Sequence, residues 1–208
     1  MVLNLKVYNV TFLIALLFAG CTKPNSVTAQ ELRENVRIET PIFVVQYSET
    51  KEQPITLTYK SSNRPKNVDR GSMNFYTEED YHTSDNKDYY RNVWDKGHLA
   101  PAATFSDSKE NLKQTFSYLN CALQNQYLNR GEWRLLEQEE RVWDDSEELE
   151  VTIDVKFSDS ILPSGATIPS RFIKHIKFLN SNEYKCFDFP NEKPTKDWEE
   201  YQVNHTHE

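Results

Sequence analysis

Alternating apolar and polar positions predict β-strands near both ends of the chain. The alternation runs over 42–47 and 55–59, on either side of a polar turn, and returns over 151–157, 171–179 and 183–189. No regular succession of strand, helix and strand accompanies these segments. Because the strands lie before and after the helical part, the pattern predicts an α+β fold around a central, mostly antiparallel sheet.

The middle of the chain has helical spacing. A leucine and a phenylalanine stand four residues apart within 108–117, which fits a short helix. The stronger signal runs from Asn129 to about Trp143, where Asn129 is a suitable N-cap and Glu132 follows three residues later, as in a capping box. The polar stretch 61–91 predicts a long irregular connection, a kind of segment that often carries function.

The first 21 residues form a segment of their own. A single lysine precedes an apolar run over 10–19, and the run ends in Ala19-Gly20-Cys21. Roughly 20 apolar residues are needed to span a bilayer, so this shorter run predicts a cleaved export signal over 1–21. Its end resembles a bacterial lipobox, in which Cys21 becomes the lipidated first residue. A cysteine that merely ends the apolar run is the alternative. The polar stretch 22–40 then predicts a tether.

From this leader we expect an exported protein, either an outer-membrane or cell-surface lipoprotein or a secreted or periplasmic protein. The remaining 41–208 is long enough for one domain with its own core. If Cys21 is lipidated, Cys121 and Cys186 are the two remaining cysteines. They either form a disulfide, which an exported protein allows, or stay as two buried thiols.

Charge limits the kinds of function that fit. The chain has a formal net charge of −8, whereas proteins that hold nucleic acid statically are usually basic over the contact face. Within 91–141, however, seven basic residues balance seven acidic ones. The charge therefore disfavours a static nucleic-acid binder but leaves room for an enzyme with a local cationic cleft.

The first candidate catalytic motif along the chain is Asp95-Lys96-Gly97-His98. The glycine predicts a sharp turn before the histidine, and a histidine beside charged residues titrates near neutral pH. Taken alone, a loop histidine more often makes a structural hydrogen bond. One flank of the predicted helix carries an amide, an indole, a carboxylate and a guanidinium at steps of four residues: Asn129, Trp133, Glu137 and Arg141. Taken alone again, these include a plain N-cap and an i,i+4 surface pair.

Together these motifs closely resemble the DNA/RNA non-specific endonuclease family. The family's Asp-Arg-Gly-His and Ala-Pro correspond to Asp95-Lys96-Gly97-His98 and Ala100-Pro101. Its later motifs appear in the same order as Tyr118-Leu119 with Asn120, Gln124, Leu128-Asn129 with Trp133, and Leu136-Glu137. The resemblance covers about 55–203. The chain departs from the family pattern in Lys96, where an arginine is usual, in Leu123, where a proline is usual, and in a short C-terminal end.

The resemblance implies a ββα-metal (His-Me finger) motif and hydrolysis of phosphodiester bonds in DNA and RNA without sequence preference. It implies that His98 is the general base. It also implies that Asn129 is the single protein ligand of Mg²⁺, with Mn²⁺ as another divalent ion that fits an oxygen site. Glu137 corresponds to the acidic residue that orders the water around the metal.

The resemblance further implies a set of substrate contacts: Arg141, an arginine upstream of the catalytic histidine, Asp95 and Lys96. For the upstream arginine we favour Arg70 over Arg64 and Arg91. Lys96 keeps the charge of the usual arginine but loses its bidentate fork, so we expect weaker phosphate positioning. Asn120 either orients the loop that bears the histidine or contacts the substrate.

A rival function fits the same fold, namely a surface-anchored nucleic-acid-binding or structural protein whose catalysis is weakened. Retention of His98, Asn129 and Glu137 argues against it, because a decayed site would have lost at least one of them. A zinc enzyme fits poorly, since no second histidine lies near His98 in a ligand-like spacing. The expected partners are DNA and RNA substrates and a membrane reached through Cys21, while homodimerisation and a protein inhibitor stay open.

Overall fold

A six-stranded antiparallel sheet carries the fold. The computed structural model describes residues 31–204, so the predicted leader with Cys21 lies outside the described residues. In chain order the elements are β1 (Val36–Glu39), β2 (Phe43–Ser48), β3 (Gln53–Ser61), β4 (Trp94–His98), α1 (Lys109–Gln114), a 3-10 turn (Tyr118–Asn120), β5 (Cys121–Asn125), α2 (Gln126–Arg130), α3 (Glu132–Trp143), β6 (Leu149–Ile161), β7 (Thr167–Phe178), β8 (Tyr184–Pro190) and a second 3-10 turn (Trp198–Tyr201). The sheet has the order β1-β2-β3-β6-β7-β8.

The strands of this sheet lie where the alternation of apolar and polar residues predicted them. Each neighbouring pair of its strands is antiparallel, and every second residue is buried over 57–61 of β3, 149–155 of β6 and 172–178 of β7. The predicted α+β class with a mostly antiparallel central sheet is confirmed. Within residues 31–204, no helix has both the length and the apolar character required to cross a bilayer.

Strand β1 lies in the stretch 22–40, for which the sequence predicts a tether. Val36 and Ile38 alternate with charged residues, Ile38 is buried, and β1 pairs with β2. The Arg33 guanidinium donates to the Glu49 carboxylate at 2.8 and 2.6 Å. The folded domain therefore begins before residue 41, because this short strand adds an edge to the sheet.

Helix α3 covers one face of the sheet. Trp133 and Leu136 on this helix are fully buried. The Trp133 ring lies 5.5 Å from the ring of Phe172 and 5.7 Å from that of Phe189, both on sheet strands. Truncating such a buried indole to alanine costs roughly 3–5 kcal/mol. This aromatic contact therefore contributes strongly to holding α3 on β7 and β8.

The helix predicted to start at Asn129 is two helices. Asn129 lies inside α2, and α3 starts after Gly131, whose φ of −103° and ψ of −115° are not helical. A Cβ atom at Gly131 would lie 2.5 Å from the carbonyl oxygen of Tyr127, so the break needs a glycine. The N-cap prediction for Asn129 is wrong, because Asn125 caps α2 by accepting from the Tyr127 N–H at 3.0 Å. Helix α3 has no side-chain cap, so the predicted capping box with Glu132 is absent.

A separate two-stranded hairpin precedes these helices. Strand β4 pairs antiparallel with β5, and α2 follows β5 directly. The predicted irregular connection over 61–91 is confirmed from residue 62 onward, since Ser61 still belongs to β3 and 62–91 contains neither helix nor strand. The hairpin and α2 together form a β-β-α unit beside the large sheet.

Candidate active site

The β4–β5 hairpin sets the direction of the candidate catalytic side chains. His98 pairs with Cys121 across the ladder, and Lys96 pairs with Leu123. Gly97 lies in the strand, so the predicted turn at this glycine is wrong. A Cβ atom on Gly97 would lie 2.5 Å from the Cβ of Gln124, and this close approach explains the glycine.

An open cleft of about 490 Å³ lies beside this hairpin. Successive strand residues point to opposite faces, so Trp94, Lys96 and His98 share one face of β4. All three line the cleft. The complete lining consists of Arg70, Phe75, Tyr89, Trp94, Asp95, Lys96, His98, Asn129 and Arg130. Five residues predicted from the sequence therefore meet in one place: Arg70, Asp95, Lys96, His98 and Asn129.

His98 has the properties of a neutral base. Its ring lies 4.9 Å from the Phe75 ring and 5.1 Å from the Phe116 ring. Burial, with a smaller contribution from the positive charge of Arg70, lowers the pKa of His98 from 6.5 to about 3. Its Nε2 is buried and has no hydrogen-bond partner among residues 31–204. The His98 side chain lines the cleft, and a neutral imidazole has one nitrogen lone pair that is able to take a proton.

Asp95 holds the side chain of Asn129. The Asn129 Nδ2 donates to Asp95 Oδ2 at 2.9 Å, and Arg130 donates twice to the same carboxylate, at 2.7 and 2.6 Å. A carboxylate only accepts hydrogen bonds, so the amide must turn its nitrogen toward Asp95. The Asn129 Oδ1 then remains for the cleft, and no donor within residues 31–204 bonds to it. Asp95, predicted to bind substrate, thus has its carboxylate engaged by two side chains of the protein.

Aromatic rings surround the two other cationic groups of the cleft. The Lys96 Nζ lies 5.3, 5.8 and 5.4 Å from the ring centres of Phe75, Tyr89 and Tyr118, and it also donates to Asn86. The Arg70 guanidinium lies 4.8 Å from a neighbouring phenylalanine ring. These contacts restrain both cations at the cleft wall.

The structure separates the three upstream arginines. Arg70 lines the cleft, whereas Arg64 pairs with Asp107 at 3.5 Å on a different part of the surface. Arg91 lies over the ring of Tyr90 at 5.0 Å and is absent from the cleft lining. Of the three, Arg70 is the one in a position to meet a phosphate beside the histidine.

Asn120 supports the segment after the histidine. It is fully buried. Its Oδ1 accepts from the Ala100 N–H at 2.7 Å, and its Nδ2 donates to the carbonyl oxygens of Ala100 and Thr115 at 2.9 and 2.8 Å. Of the two predicted alternatives, these bonds match the one in which Asn120 orients the loop, because a fully buried amide has no surface for a substrate.

Glu137 and Arg141 lie on α3, outside the cleft lining. Burial raises the pKa of the Glu137 carboxyl to about 7, against the lowering effect of the nearby Lys174. The Arg141 Nη1 is buried and lacks a hydrogen-bond partner among residues 31–204. Within residues 31–204 no ion pair joins Glu137 to Arg141. The two side chains therefore do not form the i,i+4 surface pair that the sequence offered as the alternative.

A buried charge pair next to these residues is missing from the sequence prediction. Lys174 and Glu140 are both fully buried, with Nζ and Oε1 2.6 Å apart, and Tyr59 donates to the other oxygen of Glu140 at 2.6 Å. The Lys174 Nζ also lies 4.2 Å from the centre of the Trp133 ring. A lysine at an inward position of an alternating strand is the sequence signal that would have found this pair.

The remaining candidate ligands are dispersed. Within residues 31–204, no group of three histidine, cysteine, aspartate or glutamate side chains is close enough to hold a metal ion. Cys121 and Cys186 are both buried free thiols, which decides between the two alternatives left by the sequence. A metal ion in the cleft would therefore be held by the Asn129 oxygen and water.

A hairpin that carries an unpaired histidine, followed by a helix that presents an amide oxygen, defines a ββα-metal type of site. The chain belongs to the DNA/RNA non-specific endonuclease family, whose sequence model matches residues 25–207.

Known proteins are similar to parts of this chain. The mitochondrial nuclease EXOG of Danio rerio is 38% identical over 55 residues, which are 26% of this chain and 16% of the relative. The mitochondrial endonuclease G of Bos taurus is 36% identical over 75 residues, which are 35% of this chain and 25% of the relative. The matched stretches thus span a quarter or less of these relatives.

A solved structure is similar over most of the fold. A chain in the crystal structure of an EndoG/EndoGI complex, described as showing the mechanism of EndoG inhibition, superposes with a TM-score of 0.71. The match covers 81% of this chain and 80% of the other, at 21% sequence identity. This likeness shows that the two chains share a fold.

Proposed function

We propose that the protein is a metal-dependent endonuclease that hydrolyses phosphodiester bonds in DNA and RNA without sequence preference. The observation that carries the proposal is the content of one cleft. It holds the imidazole of His98, the free amide oxygen of Asn129 and the cations Arg70 and Lys96. Membership in the family supports the same activity.

In this proposal His98 is the general base. Its neutral imidazole, which lines the cleft, accepts the proton of the attacking water, and Asn120 keeps the following backbone segment in place. Arg70 and Lys96 bind phosphate oxygens at the cleft wall. Phosphate contacts position a nucleic acid without reading its sequence, so this arrangement fits cleavage without sequence preference.

Asn129 is suited to a hard divalent cation. The bond to Asp95 turns its oxygen to the cleft, and Mg²⁺ accepts a single protein oxygen when water fills its other positions. Bound there, Mg²⁺ would stabilise the charge of the transition state and the departing 3′ oxygen. Glu137 and Arg141 lie on α3 outside the cleft lining, so their proposed roles, ordering the surrounding water and contacting phosphate, rest on family membership.

Cleavage assays test this function directly. The purified protein is incubated with supercoiled plasmid or single-stranded RNA, in Mg²⁺ or in EDTA. We expect both substrates to be cut only with the metal, and His98→Ala to lower the rate by about 10²–10⁴-fold. His82→Ala is the matched control, since His82 is exposed, pairs with Glu52 at 3.1 Å and lies outside the cleft. Undiminished cleavage by His98→Ala would refute the assigned base.

The same assay distinguishes the rival function. A surface-anchored binding or structural protein with weakened catalysis would bind nucleic acid and leave it uncut with Mg²⁺ and with Mn²⁺. Full-rate cleavage by the wild type would exclude this rival.

We also propose that the protein is exported and anchored through Cys21. The support is the short apolar run over 10–19 and the Ala19-Gly20-Cys21 ending. Cells fed labelled palmitate should incorporate it into the wild type and not into Cys21→Ser. Export without label in the wild type would instead indicate a secreted or periplasmic enzyme.

A further inference from the structure

One tryptophan at the cleft has no aromatic neighbour. Trp133, Trp143 and Trp198 each pack against other rings, with centres 5.5 to 6.1 Å apart. Trp94 lines the cleft, and no ring contact involving it occurs within residues 31–204. Trp94 is half-buried, and the part of its indole that lines the cleft is available to a flat ligand.

Tyr127 extends this open aromatic surface. Trp94 pairs with Asn125 at the end of the hairpin, and the Gln126 N–H donates to the Val93 carbonyl oxygen at 3.0 Å. These contacts place the first turn of α2, which carries Tyr127, against the start of β4. The exposed fraction is 55% for Tyr127 and 48% for Val93. A contiguous exposed apolar edge therefore adjoins the cleft.

Cations accompany the exposed rings. The Lys193 Nζ lies 5.4 Å from the centre of the Tyr127 ring, and Lys96 and Arg70 lie in the cleft itself. Single-stranded nucleic acid is bound by this combination, because its bases stack on aromatic side chains while its phosphates meet positive charge. In a duplex the bases are already stacked on one another and their faces are closed to the protein.

We propose that Trp94 and Tyr127 form a stacking platform for unpaired bases, so that the protein binds single-stranded nucleic acid in preference to duplex. This inference rests on the proposed function, which sets the path of the bound nucleic acid. The nucleic acid runs from the cleft cations past Trp94 to Tyr127. Stacking contacts the faces of the bases and not their edges. The platform therefore favours single strands over duplex without favouring any base sequence.

Binding without cleavage tests the platform. The full-length chain carrying His98→Ala is titrated, in EDTA, with fluorescein-labelled oligothymidylate of about 15 nucleotides or with its duplex. We expect tighter binding of the single strand. Adding Tyr127→Ala should weaken single-strand binding by about tenfold and change duplex binding by less than about twofold. Tyr127→Phe should keep the single-strand affinity, since the ring face is retained.

A control and a spectroscopic readout accompany these variants. Tyr184→Ala removes a tyrosine with 37% exposure that is absent from the cleft lining, and it should change neither affinity. The single strand should quench tryptophan fluorescence, and Trp94→Phe should abolish that quenching. An equal loss on single strand and duplex in Tyr127→Ala, or no loss at all, would overturn the platform. Selective single-strand binding by a wild type that cuts nothing would refute the catalytic function and leave the platform in place.

Discussion

The hydrogen bond from Asn129 to Asp95 makes a prediction about metal affinity. In Asp95→Asn the carboxylate becomes an amide with a single oxygen. In the native carboxylate, Oδ2 accepts from both Asn129 Nδ2 and Arg130 Nε, at 2.9 and 2.7 Å, and Oδ1 accepts from Arg130 Nη2 at 2.6 Å. The variant loses the negative charge, and wherever its NH₂ group takes the place of Oδ2 the Asn129 nitrogen has no acceptor. We therefore expect the proposed metal ligand to be held less firmly in its native orientation.

The magnitude follows from two unequal contributions. A hydrogen bond to a charged group contributes about 1.5–3 kcal/mol, and each 1.4 kcal/mol corresponds to a factor of ten. The Arg130 side chain is 67% exposed, so its pair with Asp95 contributes less than about 1 kcal/mol. Loss of orientation at Asn129 should thus raise the apparent dissociation constant for Mg²⁺ by about 10–100-fold, as is typical when a residue supporting a metal ligand is removed.

The assay is a Mg²⁺ titration of the initial cleavage rate on plasmid DNA. Asp95→Asn should shift the midpoint and recover most of the rate at saturating metal, while urea unfolding shows a loss of about 1 kcal/mol. Arg130→Gln is the control, because it removes the ion pair and keeps the bond to Asn129; its midpoint should move by less than about threefold. The reasoning fails if both variants shift the midpoint equally, or if Asp95→Asn leaves it unchanged.

Three further perturbations have defined outcomes. Gly97→Ala should lower the free energy of unfolding in urea by about 1–3 kcal/mol and slow cleavage, because the added Cβ meets the Gln124 side chain. Adding Gln124→Gly should recover part of the lost stability. No recovery would refute the steric cause. Lys96→Met should lower substrate affinity and reduce the slope of log affinity against log salt by about one, and an unchanged slope would exclude a phosphate contact. Asp154, and secondarily the Cys186 thiol, raise the pKa of His175 from 6.5 to about 9. The protonated ring therefore stabilises the fold below about pH 6.5 and ceases to do so as pH rises through 9. His175→Gln should lower the free energy of unfolding by about 1 kcal/mol near pH 6 and by much less near pH 10.

The large sheet was predictable because its periodicity is local. Strands such as β6 and β7 bury one face and expose the other, so alternate residues carry the signal without knowledge of the partners. The hairpin gave no such signal. In β4 the run Asp95-Lys96-Gly97-His98 contains three polar residues and a glycine, since one face of the strand lines a cleft. The glycine suggested a turn because the Gln124 side chain that excludes a Cβ lies on another strand.

The residues of the site were predictable from the sequence, but not all of their contacts. Motif order was sufficient to place His98 and Asn129 in one site, and Arg70, favoured among three upstream arginines, lies in the same cleft. The function of Asp95 was not, because adjacency to the lysine and histidine suggested a substrate contact, and only the folded chain shows Asn129 and Arg130 on its carboxylate. Residue type indicates which chemistry is available. Tertiary contacts decide which of these groups face the cleft.

The same distinction bears on how a chain of net charge −8 would act on the polyanion proposed as its substrate. Asp95 is the acidic side chain in the cleft lining, and Arg130 neutralises it at 2.6 Å. Arg70 and Lys96 keep their charge, and aromatic rings lie beside both. Rings exclude water from one side of a cation, and electrostatic attraction is stronger where water is excluded. The local charge of the cleft, and not the charge of the chain, therefore governs whether a phosphate is drawn to His98.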